Sequence, residues 1–401
     1  MHAIKTPCSF LALIFLSSVI ASAQSSAKPD AATAAWWAQT TALSDDAMEG
    51  RDTGTEAYER AAKYVAAQFA AAGLKPAGDN NTYFQRVSMH QIALDNDKSS
   101  VEILSPAGKS DRLRFTTDVT TIPREQPSSI EAPMIFLGYG MPASDLDLKG
   151  LDLKGKIAVF FNNTPAALPP ADRESYAGRR LRALGQAGVA AIISIDNPAA
   201  IEPFHWPAAY ARSVTLTGTA APNPAAPIVI RINPASLDAL FAASGHSWSD
   251  IVTSGGKGGP LAAFPLNLSA RIRLTSTSKD ISSPNILGIL PGSDPKLTPE
   301  YVALSAHLDG YGYGTPVLGD NLYNGTLDDA AYVALLIEVA KELQHKAPAR
   351  SLLFCIFTGE EKGLLGSAYF TQHLTVPKEN IVANLNLDQL RPIFPLNILT
   401  M

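Results

Sequence analysis

The chain has few cysteines and no excess of positive charge. Two of its 401 residues are cysteine, and the formal net charge at pH 7 is -5. So few cysteines exclude a small fold stapled by disulfides, and Cys355 stands inside the apolar run 352–357, where a buried side chain is expected. The mild negative charge provides no basic surface of the kind that nucleic acids require. A nucleic-acid partner is therefore not expected.

Long apolar runs are also scarce. The run over residues 10–20 is too short to cross a bilayer, and the small residues at 21–23 follow it in the pattern that signal peptidase recognises. We interpret residues 1–23 as a signal peptide, and no later segment is long and apolar enough for a membrane span. The mature protein is expected to be exported, periplasmic or extracellular. Without Cys8 it can form no internal disulfide.

Apolar residues make up 46% of the chain and charged residues 17%, a balance typical of a packed protein rather than a disordered one. Apolar positions three and four residues apart predict a helix over residues 55–72, which Gly73 would end. From residue 284 onward, strand and helix patterns alternate. The predicted strands are 285–290, 301–306, 351–357 and 381–387, and the predicted helices are 330–343 and 364–373. This alternation predicts an α/β fold with a largely parallel sheet.

The middle of the chain, residues 131–275, has a different pattern of predicted elements. Its predicted elements are strands at 133–139, 156–161 and 188–195 and a helix at 178–187. Prolines are frequent between 196 and 235, where loops are expected. The glycine-rich stretch 254–260 lacks the sequence context of a phosphate loop, so nucleotide binding is not predicted.

Potential metal ligands follow the predicted strands of the last third. In chain order they are His307, Asp309, Asp328, Glu360, Glu361 and Asp388. Three strands run into such residues where they end, and Asp328 stands at the start of the helix between two of them. In open α/β sheets, functional residues collect beyond the carboxyl ends of the strands, so these side chains are expected to meet.

Each motif also has a purely structural interpretation. Asp328 and Asp329 before an apolar helix form an N-cap signal, because carboxylates satisfy free amides at the positive end of a helix. The pair Glu360 and Glu361 alone is typical of a solvated turn, and Asp388 is compatible with the start of another. It is their joint occurrence at strand ends that favours a metal site.

The residue types suit a hydrolytic centre with two zinc ions. Imidazole and carboxylates are zinc ligands, and a carboxylate such as Asp328 can bridge two metals about 3.5–4 Å apart. Such a pair lowers the pKa of a bound water, and a carboxylate that stays off the metals must take the proton. Glu360 and Glu361 can divide these tasks, since neighbours in an extended segment point in different directions. Asp309 is placed to accept the second ring N–H of His307.

Four motifs resemble, in the same order, those of the co-catalytic zinc aminopeptidase family, which includes bacterial leucyl aminopeptidases and glutamate carboxypeptidases. They are residues 305–309 (SAHLD), 324–330 (NGTLDDA), 357–361 (FTGEE) and 386–388 (NLD). Residues 43–84, with EGRDTGT at 49–55, resemble the family's N-terminal approach to the catalytic domain. Residues 131–275 resemble its protease-associated insert, most clearly at 138–140 and 153–157.

The resemblance implies a zinc exopeptidase fold. In this fold a mixed, largely parallel sheet is flanked by helices and interrupted by a β-rich α+β insert. The peptidase domain would be formed by residues 24–130 and by the zinc-binding residues 276–401, with the insert at 131–275.

The resemblance also implies two zinc ions and a role for each candidate residue. The ligands would be His307 and Asp388 on one zinc, Glu361 on the other, and Asp328 bridging both. Glu360 would be the general base that activates a metal-bridging water. Asp309 would orient His307.

Two departures from the family pattern affect these expectations. Ala331 and Tyr332 stand where the family has Ser-Gly, which changes packing beside the bridging carboxylate. The family's last zinc ligand is a histidine downstream of the position of Asp388, and the chain ends before one occurs. His373 lies upstream in a predicted helix and is a poor substitute. Because the apolar segment 395–401 has the pattern of an unfinished strand, we expect a C-terminally truncated chain with a weakened second zinc.

The favoured function is that of an exported zinc aminopeptidase acting on a peptide or oligopeptide. A zinc carboxypeptidase would use the same ligands and stays open as an alternative. A glutaminyl cyclotransferase uses similar ligands, although the insert makes it less expected. The missing histidine is consistent with a third alternative, a catalytically impaired or non-enzymatic binding or scaffold protein.

Overall fold

The computed structural model describes residues 29–140, 151–198, 211–219, 226–237, 241 and 244–389. The predicted signal peptide and the apolar segment 395–401 lie outside these ranges, and both stay predictions. Among the described helices, none combines the length and the apolar character that crossing a bilayer requires.

The described residues contain six α-helices and seventeen strands. The α-helices are α1 (Ala31–Leu43), α2 (Glu56–Ala71), α3 (Pro170–Gln186), α4 (Trp248–Gly256), α5 (Ala331–Leu343) and α6 (Leu365–Gln372). The first strands are β1 (Lys75–Pro76), β2 (Phe84–Leu94), β3 (Ser100–Leu104), β4 (Ser110–Leu113), β5 (Val119–Thr121), β6 (Ser128–Leu137), β7 (Ile157–Asn162), β8 (Ala191–Asp196) and β9 (Arg212–Leu216). The later strands are β10 (Ile228–Ile232), β11 (Ala263–Leu274), β12 (Ser276–Leu290), β13 (Tyr301–His307), β14 (Gly312–Val317), β15 (Asp320–Tyr323), β16 (Ser351–Phe357) and β17 (Ile381–Asn386).

The first sheet contains the strands predicted for the last third of the chain. Its order is β17-β13-β16-β12-β2-β9, with the short β1 beside β12. Strand β13 is parallel to β16 and β17, whereas the other pairings of this sheet in the described residues are antiparallel. The sheet is mixed, as predicted, but its parallel part is only three strands wide and thus smaller than expected. The long strands β2 and β12, of 11 and 15 residues, account for the difference.

The second sheet comes from the middle of the chain and has the order β4-β3-β11-β6-β7-β8-β10-β5. Its strands β6, β7, β8 and β10 are parallel. The sheet extends from Ser100 to Leu274, and its strands β3, β4 and β5 precede residue 131, where the predicted insert begins. Strand β9 leaves this region and pairs with β2 of the first sheet. The likeness of the region to a protease-associated insert stays a prediction.

Helix α2 forms where the spacing of apolar residues predicts it. Thr55 caps its first turn by accepting the main-chain N–H of Tyr58, and Gly73 follows its end with a φ of 73°, which favours glycine. Its inner face is fully buried, and the ring of Phe69 lies 5.7 Å from the ring of Phe354 in β16. This packing anchors the segment before α2, residues 49–55, against the first sheet.

Alternate residues of β16 face opposite sides of the first sheet. Leu352 and Phe354 share a core with α2 and α5, whereas Leu353 and Cys355 share one with Phe370 of α6. Cys355 is buried as expected, and burial raises the pKa of its thiol. With helices covering both faces, the carboxyl end of the parallel strands is the open edge of this region.

Candidate metal centre

Three parallel strands bring potential ligands to one edge of the first sheet. Strand β13 lies between β16 and β17, and its last residue, His307, is in register with Phe357 at the end of β16. Glu360 lies just beyond Phe357, and Asp388 lies just beyond β17. The predicted strand-end residues therefore meet at one place.

His307 is almost fully buried at the centre of this edge. Its Nε2 is 3.0 Å from Oδ1 of Asp328, 3.6 Å from Oδ1 of Asp388 and 3.9 Å from Oε2 of Glu360. Burial by itself lowers the pKa of the imidazole, but the surrounding carboxylates, Asp328 first, raise it to about 10. The ring thus faces a strongly negative environment that favours a bound cation.

Asp309 contacts His307 with its main chain rather than, as predicted, with its carboxylate. Nδ1 of His307 is 3.0 Å from the Asp309 carbonyl oxygen and 3.8 Å from Oδ1. Because a carbonyl only accepts, Nδ1 carries a hydrogen and Nε2 faces the acids. The carboxylate instead accepts the main-chain N–H groups of Glu360 at 3.0 Å and Glu361 at 3.2 Å, and the hydroxyl of Thr53 at 2.9 Å. Asp309 thus fixes the turn that carries both glutamates.

The turn before α5, Thr326–Ala330, holds two acids in different ways. Asp328 is one-third exposed and reaches the ring of His307, while Asp329 is fully buried and accepts the main-chain N–H of His307 at 3.2 Å. The N-cap interpretation does not hold, since α5 starts after Ala330 without a side-chain cap. Oδ1 of Asp329 is buried without a hydrogen-bond partner, and burial raises the pKa of this carboxyl to about 8.

Glu361 completes a group with the spacing of metal ligands. One ligand atom each of His307, Asp328 and Glu361 lies within 4.8 Å of the other two. Burial raises the pKa of the Glu361 carboxyl to about 8, against a hydrogen bond from Tyr311, and its Oε1 is buried without a hydrogen-bond partner. Such an oxygen is costly unless a proton or a cation neutralises it. One imidazole among carboxylates is a donor set that fits a divalent cation such as zinc.

Carboxylates dominate the charge of this edge. They are Asp309, Asp328, Asp329, Glu360, Glu361 and Asp388. The buried guanidinium of Arg51 attracts some of them, but it donates to main-chain carbonyls, namely those of Leu43, Leu308, Asn324 and Gly325. Burial lowers the pKa of Arg51 to about 10. The guanidinium therefore holds the surrounding loops together, and the excess of acid is left for a cation.

Several residues of the centre are not singled out by the strand-end pattern. Arg51, Thr53, Tyr311 and Asp329 all lie in it, yet that pattern marks none of them as a ligand. The signal for the first two was the stretch EGRDTGT at 49–55, because its family resemblance ties it to the catalytic domain. The structure brings it there through a bridge between Asp52 and Gly310.

Two cavities open beside the centre. One, of about 270 Å³, is bounded by His307, Glu360, Asp388 and Leu364 among others. The other, of about 380 Å³, lies between the two sheets. It is lined by Thr120, Thr121, Ile122, Arg212, Ser213, Val214, Val229, Arg231, Glu361 and Lys362. Residues of both sheets thus surround the approach to Glu361.

Comparisons with known proteins agree with this centre. Residues 285–393, which contain every candidate ligand, match the model of Peptidase family M28. A probable zinc metalloprotease of Pyrenophora tritici-repentis is 39% identical over 64 residues, which are 16% of this chain and 15% of that protein. The aminopeptidase NAALADL1 of Mus musculus is 28% identical over 137 residues, 32% of this chain and 16% of that protein. The matched part of the chain thus spans about a sixth of the length of these curated relatives.

Two solved structures share the fold over most of the chain. The aminopeptidase from Aneurinibacillus sp. strain AM-1 has a TM-score of 0.56 at 17% identity, covering 89% of this chain and 70% of that one. BSAP, a zinc aminopeptidase from Bacillus subtilis, has a TM-score of 0.53 at 20% identity, covering 90% and 70%. The chain therefore carries a segment, residues 285–393, that matches Peptidase family M28, within a fold that resembles those of these two aminopeptidases.

Proposed function

We propose that this chain is an exported zinc-dependent exopeptidase, specifically an aminopeptidase that removes residues from the N-terminus of peptides. One observation carries the proposal: His307, Asp328 and Glu361 present ligand atoms within 4.8 Å of one another, at an edge rich in carboxylates. The buried oxygen of Glu361 without a partner supports it, because a cation would satisfy that oxygen.

The proposed ligands divide between two zinc ions. His307 and Asp388 would hold one ion, Glu361 the other, and Asp328 both. Bound zinc would act as a Lewis acid on the scissile carbonyl and lower the pKa of the attacking water. The distances of 3.0 and 3.6 Å from Nε2 of His307 to Asp328 and Asp388 support the first group.

Glu360 would move the proton. Its carboxylate lies 3.9 Å from Nε2 of His307, so it borders the ligands, and Asp309 fixes its main-chain N–H. Burial raises the pKa of Glu360, which brings its proton affinity closer to what a base near neutral pH needs. Glu360 would take a proton from water as the oxygen attacks the carbonyl carbon. It would then give that proton to the amine nitrogen as the C–N bond breaks.

The charge of the centre favours an aminopeptidase over a carboxypeptidase. The carboxylates of Glu360 and Asp388 line one cavity beside His307, where they suit the free ammonium group of a peptide. Three cations border the other cavity, but Arg212 and Lys362 are both paired with Asp52, and Arg231 is paired with Asp196. They are therefore not free charges awaiting a substrate carboxylate.

Turnover of matched substrates tests the proposal. The full chain, stripped of metal and reloaded with zinc, should cleave leucyl p-nitroanilide but not its N-acetylated form, and a chelator should abolish cleavage. Cleavage of N-acylated peptides from the free carboxyl end would favour the carboxypeptidase instead. Cleavage that persists in chelator would overturn the zinc mechanism.

A binding or scaffold protein is the second candidate. One observation favours it: among the described residues, His307 is the single histidine at the centre, and His373 instead stacks on Tyr369. Zinc content separates the two functions. About two zinc ions per chain with turnover supports the enzyme, and zinc binding without turnover of any peptide supports the scaffold.

A further inference from the structure

Strand β9 brings a guanidinium from the middle of the chain to the first sheet. Nη2 of Arg212 donates to Oδ1 of Asp52 and to the carbonyl of Thr53, both at 2.7 Å. Nη1 donates to Oε1 of Gln91 in β2 at 2.8 Å. Arg212 therefore binds the segment before α2 through two hydrogen bonds and anchors it to the sheet.

The same oxygen of Asp52 faces a second buried cation. Nζ of Lys362 is 3.0 Å from Oδ1 of Asp52, and only 3% of the Lys362 side chain is exposed. Lys362 directly follows Glu361 in the chain. This ion pair therefore fixes one end of the turn that carries Glu360 and Glu361.

Asp309 fixes the turn from within and closes a ring of contacts. Thr53, next to Asp52 in the chain, donates its hydroxyl to Asp309, and Asp309 accepts the main-chain N–H groups of both glutamates. Lys362 then leads back to Asp52. We call this closed set the Asp52 ring; its members are Asp52, Thr53, Asp309, Glu360, Glu361 and Lys362.

We propose that Arg212 and Lys362 are positioning residues that act through Asp52 to hold Glu360 and Glu361 in place. The kinetic consequences rest on the proposed peptidase function, whereas the ring itself can be tested without activity. Arg212 belongs to β9, which lies between stretches of the middle region, so it couples that region to the glutamate turn.

Electrostatics explains why the ring depends on both cations. Asp52 and Lys362 are largely or fully shielded from water, so loss of Arg212 or of Lys362 leaves the Asp52 carboxylate with one cation instead of two. The weakened contact allows the turn to move towards solvent, and Glu360 would move with it. Displacement of the general base lowers kcat, because the geometry for proton transfer is lost even where the substrate still binds.

Arg212→Met and Lys362→Met test the proposal in the full chain. Each should lower kcat about 10–100-fold, the usual cost of losing a residue that supports a metal site, with little change in KM. Arg212→Lys should recover part of the loss, since lysine keeps the charge but not the planar fork. In the metal-free protein, hydrogen exchange at the amides of residues 358–364 should become faster in both methionine variants.

Arg271→Met is the matched control. Arg271 is also a partly buried arginine paired with carboxylates, but its partners Glu102 and Glu131 lie in the second sheet, and it lines neither cavity beside the centre. It should leave kcat and exchange at 358–364 unchanged, and thermal unfolding will show that each variant is folded. A double variant, Arg212→Met with Asp52→Asn, should be no slower than the slower single variant, because both act through one contact.

The possible outcomes separate this proposal from the proposed function. A raised KM with unchanged kcat and unchanged exchange would make Arg212 a substrate contact and overturn the positioning role. So would unchanged exchange in both methionine variants, or losses that multiply in the double variant. If the wild type shows no turnover but exchange responds as expected, the ring stands and the peptidase function fails.

Discussion

The two sheets each have polar residues at the carboxyl ends of parallel strands, but the two edges differ in how far their charges are paired. In the second sheet, Asp196 at the end of β8 pairs with Arg231 at 2.7 Å, and Asn162 at the end of β7 accepts from Arg180 at 2.8 Å. In the first sheet, His307 stands among carboxylates, and Glu361 and Asp329 each keep a buried oxygen without a partner. Equal topology therefore does not imply a site, whereas unbalanced buried charge does.

Glu360→Gln should have the largest effect on activity. The amide keeps the shape of the side chain but cannot take a proton, so kcat should fall about 10²–10⁴-fold while zinc binding persists. Kinetics and metal analysis on the same preparation check this. Asp196→Asn at the second sheet is the matched control and should leave kcat unchanged. Near-normal turnover of Glu360→Gln would remove Glu360 from the role of base.

Neutralising one acid at each edge should change stability in opposite directions. In metal-free protein at about pH 9, Glu361→Gln should raise the free energy of unfolding by about 0.5–2 kcal/mol, because it removes an unsatisfied buried charge. Asp196→Asn should lower it by about 1–3 kcal/mol, because it weakens a hydrogen-bonded pair. Denaturant unfolding measures both. Two changes of the same sign would mean that the edges do not differ in charge balance.

The pH dependence of stability should also distinguish the first edge. In the metal-free fold, burial raises the pKa of Asp329 and of Glu361 to about 8, and the surrounding acids raise that of His307 to about 10. At these three groups the folded chain therefore binds more protons than the unfolded one from about pH 4 to about pH 10. Stability in chelator should fall as pH rises from 5 to 9, by about 1 kcal/mol or more.

Zinc should reverse this trend. Zinc binds deprotonated ligands, so the stabilisation that it adds should grow as pH rises. Thermal unfolding at pH 5, 7 and 9, with zinc and with chelator, measures both curves. Stability in chelator that rises with pH would contradict the raised carboxyl pKa values.

The sequence predicts the first edge well because its signals are local. Strands β13, β16 and β17 are short apolar runs, and the ligand candidates follow them directly in the chain. Helices α2 and α5 show their buried faces as apolar periodicity. Each ligand candidate lies within a few residues of a strand or helix end, so the sequence alone connects the candidate to that predicted element.

Other residues cannot be predicted in this way, because their hydrogen-bond partners are distant in the sequence. The buried face of β2 includes Gln85 and Gln91, which break the apolar alternation. Gln85 donates to the carbonyl of His373, and Gln91 accepts from Arg212, so both are satisfied only in the fold. The same applies to Thr53, whose bond to Asp309 joins residues 256 positions apart.

Substitution of His373 is the test with the smallest expected effect, and it asks whether this histidine contributes to zinc binding. In the structure its ring stacks on Tyr369 at 4.0 Å and its Nδ1 lies 3.0 Å from the Tyr369 carbonyl, at the exposed end of α6. It therefore makes no contact with the candidate ligands. His373→Ala should change zinc affinity less than about twofold, as for a surface residue outside the site. A large loss of zinc would mean that α6 rearranges to complete the centre. Helix α6 would then contribute to the metal centre in addition to covering the first sheet.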